Sequence, residues 1–200
     1  MLVVSVILLW IVVIVLSILV IVLYRQFGLI YIGSRARIEQ TGLPAGRRAP
    51  EAVPLQVEGR SVAWSWHTDG ELRGTVAVMS TVECELCAEL LPRLNQVADR
   101  WRGVFRFLVV DRVMGDGNGP VRQLPDPRSW IYALDPEAAM HEALDVEATP
   151  FVFVLDHTGT VMAKGIVNLP ESIDAMVQDA VSADEPRAQP PAGRRPRGRG

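Results

Sequence analysis

Cysteine is scarce in this sequence: 200 residues contain only two, which excludes a small domain held together by several disulfides. Positive charge is not in excess either, because 20 basic residues are outnumbered by 23 acidic ones and the formal net charge is -3. This balance does not favour binding to nucleic acid. With 16 glycines and 14 prolines, the chain also lacks the composition of a collagen-like protein. These absences direct attention to where the apolar residues and the two cysteines lie.

Charged residues are also absent from Leu2 to Tyr24, although 22% of the whole chain is charged. At ~1.5 Å per helical residue, this stretch is long enough to cross the ~30 Å hydrocarbon core of a bilayer. A cleaved signal peptide would need a basic start, an apolar core of about 7–15 residues and a small-residue cleavage site. Here no basic side chain precedes the stretch, the core is longer, and residues 24–27 read Tyr-Arg-Gln-Phe. We therefore expect residues 1–25 to be an uncleaved, single-pass transmembrane anchor in the lipid bilayer.

Composition divides the rest of the chain into three parts. Residues 26–50 contain several glycines and prolines and are predicted to be a juxtamembrane connector. Residues 51–182 have the length and patterning of one compact domain. Residues 183–200 are mostly Pro, Gly and Arg, cannot bury a core, and are expected to form a disordered tail.

Within the domain, strand-like and helix-like patterns alternate along the chain. The predicted strands are 61–66, 75–79, 105–110, 130–134, 151–155 and 161–167, and the predicted helices are 84–101, 136–144 and 170–181. Residues 116–120, Asp-Gly-Asn-Gly-Pro, are predicted to be a loop, and residues 157–159 a hairpin turn. This order predicts an α/β domain with a mixed β-sheet flanked by helices.

Both cysteines lie in one motif, Cys84-Glu85-Leu86-Cys87, between a predicted strand and the first turn of the longest predicted helix. The N-terminus of a helix has unpaired N–H groups and a partial positive charge, which stabilise a thiolate there. We therefore predict that Cys84 is the nucleophile and that Cys87, one turn further along, resolves the mixed disulfide. The pair acts as a redox-active disulfide, so no other cofactor is expected.

Three other interpretations of the cysteine pair are open. A structural zinc site needs four ligands, and His67, His141 and His157 offer no spacing that would complete one, so no metal is expected. A purely structural disulfide across two residues closes so short a loop that it stabilises little. Two inert buried thiols at a helix start are the third possibility.

A second feature is Thr149-Pro150, directly before the predicted strand 151–155. A proline at this position contributes no donor to the strand ladder, and its peptide bond can adopt cis at modest cost. With the CxxC motif and the order of elements over residues 60–181, the chain resembles the thioredoxin superfamily. The resemblance implies a cis-proline loop beside the cysteines, whose backbone at Thr149 pairs with a bound substrate strand.

A narrower resemblance extends over most of the chain. The apolar span, residues 23–29 (Leu-Tyr-Arg-Gln-Phe-Gly-Leu), residues 46–51, the CxxC motif and residues 164–168 (Lys-Gly-Ile-Val-Asn) are similar to the methylamine-utilisation (MauD) family of thioredoxin-like proteins. This implies a role in maturing methylamine dehydrogenase by making or rearranging disulfides. The partners so implied are a cysteine-containing substrate protein and a membrane donor or acceptor of electrons for the thiols. The family usually has Pro-Thr-Cys-Pro-Val-Cys after a serine, whereas residues 80–87 here are Ser-Thr-Val-Glu-Cys-Glu-Leu-Cys.

Two other functions are considered. Residues 81–84 match a peroxiredoxin-like T-x-x-C, but Ala77 stands where that family carries a proline, so a thiol peroxidase is one alternative. The other is a membrane-tethered thioredoxin-like binding module in which the thiols are incidental.

Two arguments disagree about which side of the membrane the domain occupies. Five arginines follow the span, at positions 25, 35, 37, 47 and 48, and the positive-inside rule would place the domain in the cytoplasm. A cytoplasmic domain would lie in a reducing pool, where a tethered thiol exchanger has little use. The MauD resemblance also implies the other side, so we expect an extracytoplasmic domain at the cell membrane.

The carboxylates of Glu83 and Glu85 flank the predicted nucleophile, and a nearby carboxylate disfavours a thiolate, so we expect them to raise the pKa of Cys84. Strong oxidants of this fold owe their reduction potential to a stabilised reduced form. We therefore predict a weak oxidant that acts as a reductant or isomerase. Equilibration with glutathione measures the potential of the Cys84–Cys87 pair. A potential near about -120 mV, at the strongly oxidising end, would contradict the prediction.

Overall fold

The computed structural model of the chain describes residues 4–21, 41–68, 70–113 and 123–184. The first of these ranges is a single helix, α1 (Val4–Ile21), which is long and apolar enough to cross a membrane and has none of its surface buried by the rest of the protein. Some signal sequences near an N-terminus are also long and apolar enough by this measure. The predicted ends of the anchor, most of the connector, the 116–120 loop and residues 185–200 of the tail lie outside the described residues.

Seven strands form one mixed sheet in the order β2-β1-β5-β4-β3-β6-β7. They are β1 (Val53–Val57), β2 (Arg60–Trp64), β3 (Gly74–Thr81), β4 (Phe105–Arg112), β5 (Ile131–Asp135), β6 (Phe151–Asp156) and β7 (Val161–Ile166). The central strands β3, β4 and β5 run parallel, and every other pairing is antiparallel. The predicted mixed sheet is therefore confirmed.

The remaining helices are α2 (Glu85–Leu90), α3 (Asn95–Arg100), α4 (Ala139–Ala143) and α5 (Pro170–Asp184), with a 3-10 turn, Leu91–Arg93, between α2 and α3. The predicted helix 84–101 thus consists of α2, this 3-10 turn and α3. Pro92 has no N–H, and its ring clashes with the carbonyl four residues earlier, so the helix is interrupted there.

The sheet is buried on both faces, as expected for parallel strands that carry helices on each side. Along β3, Ala77 and Met79 point into one core, which is covered by α4, while Val76 and Val78 point into the other, which is covered by α2, α3 and α5. All four side chains are fully buried. This two-sided burial explains why the central strands are continuous apolar runs in the sequence.

Strand β1 is missing from the sequence-based prediction, which placed the first strand at 61–66. Pro54 lies within β1, and proline cannot donate to a ladder. The structure shows why it is tolerated: β5 pairs with β1 only at Gln56 and Val57, so no donor is required of Pro54 on that side. Helix α4 also begins later than predicted, at Ala139 rather than 136, because Ala138 adopts a left-handed conformation with φ of 58°.

The part of the predicted connector that the structure describes, residues 41–50, packs onto the domain. Gly42 N–H donates to the carbonyl of Asp145 at 2.8 Å, and Lys164 Nζ donates to the carbonyls of Thr41 and Gly42, each at 2.6 Å. Arg48 forms a bridge with Thr160 at the start of β7. Residues 41–50 thus lie against β7 and the end of α4.

Two glycines of this segment provide a matched test of the packing. Gly42 and Gly46 both have positive φ, 73° and 79°, but a Cβ on residue 42 would lie 2.7 Å from Cζ of the buried Phe151, whereas nothing lies within 4 Å of a Cβ on residue 46. We predict that G46A lowers the free energy of unfolding by about 1 kcal/mol through backbone strain alone. G42A should cost roughly 1–3 kcal/mol more through overpacking. Denaturant unfolding of the full chain in detergent measures both, and equal losses would contradict the packing described.

Candidate active site

The two cysteines lie where β3 ends and α2 begins. Cys84 is the N-cap of α2, has an extended backbone, and forms a disulfide with Cys87. The Cys84 side chain is half-buried, whereas only 1% of Cys87 is exposed. The backbone N–H of Cys87 points at Cys84 Sγ, at 3.1 Å. Cys84 is therefore the accessible sulfur and Cys87 the shielded one.

This geometry modifies the predicted source of thiolate stabilisation. The helix after the cysteines has only six residues before the interruption at Pro92, so it is not the long helix that the sequence suggested. A helix dipole acts mainly within its first turn. The direct donor to Cys84 Sγ is the N–H of Cys87, and a charge-assisted hydrogen bond of this kind stabilises a thiolate.

The Thr149-Pro150 pair lies beside the cysteines because β6 runs antiparallel to β3, with Met79 opposite Phe151. The Thr149–Pro150 peptide bond is cis. The carbonyl oxygen of Thr149 lies 3.9 Å from Cys84 Sγ. The hydroxyl oxygen of Thr149 lies 3.4 Å from the hydroxyl oxygen of Thr81. The carbonyl of Pro150 accepts the N–H of Val167, which holds the loop against the end of β7. The resemblance implied that Thr149 and Pro150 lie beside the cysteines, and the pairing of β3 with β6 brings them there.

The two predicted tuning residues differ in environment. Glu83 is half-buried directly before Cys84, whereas Glu85 is exposed in the first turn of α2. A carboxylate in the first turn stabilises a helix. Their effect on the thiol stays a prediction.

A buried polar cluster lies directly behind the motif. The Ser80 hydroxyl, four residues before Cys84, donates to Asp111 Oδ1, and the Tyr132 hydroxyl donates to Asp111 Oδ2 at 2.6 Å. Ser80 and Asp111 are both fully buried. The carboxylate is thus bound from β3 and from β5 at once.

A second buried pair adjoins the first. His141 Nδ1 lies 2.8 Å from Asp135 Oδ2, and His141 Nε2 lies 3.1 Å from the carbonyl oxygen of Ser80. The backbone N–H groups of Met140 and His141 also donate to Asp135 Oδ2. Burial alone would raise the pKa of Asp135, but the hydrogen bonds from the His141 ring and from these two backbone groups outweigh it and lower that pKa.

Sequence reasoning missed Ser80, Asp111, Asp135 and His141. The sequence did contain a pattern that could have identified the two aspartates. Asp111 and Asp135 each lie at the C-terminal end of an apolar strand, and neighbouring parallel strands end at the same edge of a sheet. That edge carries the cysteines. His141 entered the sequence argument only where a zinc site was rejected, and the structure places its ring against Asp135.

The three histidines are separated in the structure. His67 is within 3.2 Å of Glu51 on the surface, and His157 lies in the turn between β6 and β7. Among the residues that the structure describes, no group of three or more His, Cys, Asp or Glu side chains is placed to hold a metal ion.

The Asp135 environment predicts a pH-dependent stability. Because its pKa is lower in the folded chain, its stabilisation is present above the ordinary Asp pKa of about 4 and is lost as the pH falls through the folded value. We expect D135N to cost about 1–3 kcal/mol near pH 6 and progressively less below pH ~4. Urea unfolding across this pH range measures the difference. The matched control is D99N, which removes an exposed pair with Arg102 and should change little at any pH. A D135N deficit that stays constant down to the lowest pH would contradict the prediction.

Comparisons with known proteins agree with this geometry. No protein-family model matches the chain. It is 26% identical over 177 residues to methylamine utilization protein MauD of Paracoccus denitrificans, covering 86% of this chain and 85% of that protein. A solved structure described as a thiol:disulfide interchange protein DsbE from Chlorobium tepidum matches with a TM-score of 0.53 and 19% identity, over 70% of this chain and 97% of that one. The thioredoxin domain of a thiol-disulfide oxidoreductase from Bacteroides vulgatus gives a TM-score of 0.49 at 16% identity, over 68% and 99%. The match to the Chlorobium tepidum structure shows that the chain has the thioredoxin-like fold, and its sequence is similar to that of MauD.

Proposed function

We propose that this protein is a membrane-anchored thiol–disulfide oxidoreductase that acts on protein disulfides, with Cys84 as the nucleophile and Cys87 as the resolving residue. The observation that carries the proposal is the asymmetry of the pair. Cys84 is accessible, has an N–H directed at its sulfur, and lies against the Thr149 carbonyl, whereas Cys87 is shielded one turn behind it. Thiol exchange needs one sulfur to meet the substrate and a second to displace it.

In the reducing direction, the thiolate of Cys84 attacks one sulfur of a substrate disulfide. The bond between the substrate sulfurs breaks, a bond from Cys84 to one of them forms, and the other leaves as a thiolate. Cys87, deprotonated, then attacks Cys84 Sγ and releases the second substrate thiolate, so the substrate gains two electrons and the Cys84–Cys87 disulfide forms. Both substrate thiolates take up protons from water. Oxidation of a substrate dithiol is the same sequence in reverse.

The loop at Thr149 and Pro150 is the proposed substrate-binding element. Its carbonyl at Thr149 faces the Cys84 sulfur, and at 3.9 Å it lies where an extended substrate segment crossing the sulfur would pass. Backbone pairing with an extended segment gives affinity with little demand on side-chain identity. This suits an enzyme whose substrates share a disulfide rather than a sequence.

The direction of exchange follows from the carboxylates around Cys84. Glu83 and Glu85 oppose formation of the thiolate, and the short α2 offers little dipole to offset them. The reduced form is then not strongly stabilised, which favours action as a reductant or isomerase. A reductant needs a supply of electrons, so the proposal includes a membrane donor of thiol electrons.

The site of action is the extracytoplasmic face of the cell membrane, with α1 as the anchor. Tethering confines exchange to substrates near the bilayer. The similarity to MauD supports the maturation of methylamine dehydrogenase, or of another enzyme that contains disulfides, as the physiological role.

The test compares two single variants of the full chain. C87S keeps the nucleophile but removes the resolving thiol, so it should accumulate a mixed disulfide with a protein substrate such as insulin. C84S should trap none and lose reductase activity. The covalent adduct is detected on non-reducing gels and by mass spectrometry, with the double variant C84S/C87S as the control.

Two results would overturn the proposal. Rapid consumption of hydrogen peroxide by the wild type, without reduction of protein disulfides, would favour a thiol peroxidase. Unchanged function of C84S/C87S in cells would favour a binding module in which the thiols are incidental.

A further inference from the structure

The buried histidine behind the CxxC motif takes no part in the exchange written above, yet it contacts both halves of the site. His141 is only 1% exposed. Its ring reaches the carbonyl of Ser80, on the strand that carries the cysteines, at 3.1 Å. Its own backbone carbonyl accepts the N–H of Val146 at 2.9 Å, three residues before Thr149.

Both nitrogens of this ring are hydrogen-bonded inside the protein. The Ser80 carbonyl can only accept, so Nε2 of His141 donates to it. Nδ1 faces Asp135 Oδ2, which also accepts two backbone N–H groups, so the ring lies between Ser80 and a buried carboxylate. Replacing such a pair by apolar side chains is often neutral or favourable for stability, so stability alone does not account for it.

Ser80 is the residue on which these contacts converge. The Ser80 hydroxyl donates to Asp111 and the Ser80 carbonyl accepts from His141, so Ser80 is hydrogen-bonded both to β4 and to α4. Beyond Thr81 the chain leaves the strand: Val82 N–H donates to the Arg112 carbonyl, and Cys84 N–H bonds back to the Thr81 carbonyl in a turn. The contacts across the site follow, from the Thr81 hydroxyl to that of Thr149 and from Cys84 Sγ to the Thr149 carbonyl.

We propose that His141 is a positioning residue that sets the distance between Cys84 and the Thr149–Pro150 loop, by holding Ser80 through its side chain and the segment leading to Thr149 through its backbone. This inference rests on the proposed function. Exchange proceeds with the same bonds made and broken. Its role is to align the sulfur with a substrate segment paired to the loop.

This role predicts that loss of His141 changes the exchange rate differently for two kinds of substrate. A protein disulfide must pair with the loop while it meets Cys84, so it depends on their relative position. A small aromatic disulfide such as DTNB needs only to reach the Cys84 sulfur and does not pair with the loop. Loss of positioning therefore slows the first reaction more than the second, whereas simple destabilisation lowers both in proportion to the folded fraction.

The test uses reduced full-length protein in detergent and measures the rates with insulin and with DTNB. In D135N/H141Q the Asn oxygen still accepts the backbone N–H groups of residues 140 and 141, and the Gln amide can donate to the Ser80 carbonyl in place of Nε2, so the ratio of the two rates should stay at the wild-type value. D135N/H141L differs from it only at residue 141 and lacks the donor to Ser80. We expect its ratio of insulin to DTNB rates to fall by about tenfold, which corresponds to ~1.4 kcal/mol of transition-state free energy. V177A, a buried apolar truncation on α5, controls for lost stability and should leave the ratio unchanged.

The outcomes distinguish this inference from the proposed function. A wild-type protein that reduces neither probe would contradict the proposed function. An active wild type with an unchanged ratio in D135N/H141L would contradict the role of His141 alone. Failure of D135N/H141L to fold where D135N/H141Q folds would show that His141 supports the fold, and would also count against positioning.

Discussion

The antiparallel pairing of β3 with β6 is the constraint on which the site depends. Residue 79 lies opposite residue 151, so the strand that ends at the CxxC motif meets the strand that begins after Pro150. Six consecutive residue pairs fix this register, and a slip by one residue would turn every buried side chain of β6 to the opposite face. Because both faces of the sheet are buried, the register is strongly specified, and the contact between Cys84 and Thr149 follows from it.

The same edge of the sheet concentrates the buried polar groups of the described domain. Strands β3, β4 and β5 are parallel and end together, which brings Ser80, Asp111 and Asp135 behind the cysteines. Buried carboxylates are costly unless they are hydrogen-bonded or paired. Asp111 accepts from the hydroxyls of Ser80 and Tyr132, and Oδ2 of Asp135 contacts the His141 ring and accepts two backbone N–H groups. The apolar core thus supplies the stability of the domain, while the polar edge specifies the geometry of one turn.

The sequence was informative where a single local pattern determines the structure. The apolar runs of β3, β4 and β6, the cysteine motif at a helix start, and a proline directly before a strand could all be interpreted without knowledge of tertiary contacts. Features that depend on tertiary contacts could not be predicted from the sequence. Strand β1 is possible because β5 covers only two of its residues, and this depends on how far the two strands overlap. The function of His141 depends on Ser80, which lies 61 positions away.

The central claim is that Cys84 is the attacking sulfur and Cys87 is shielded from substrate, and competitive alkylation tests it most directly. Reduced full-length protein is labelled at pH 7 with a limiting amount of iodoacetamide and digested with trypsin. Both cysteines fall in the peptide that spans residues 74–93, so fragmentation in the mass spectrometer assigns the label. The account predicts that Cys84 is labelled at least about tenfold faster, because only 1% of Cys87 is exposed. Equal labelling, or faster labelling of Cys87, would contradict it.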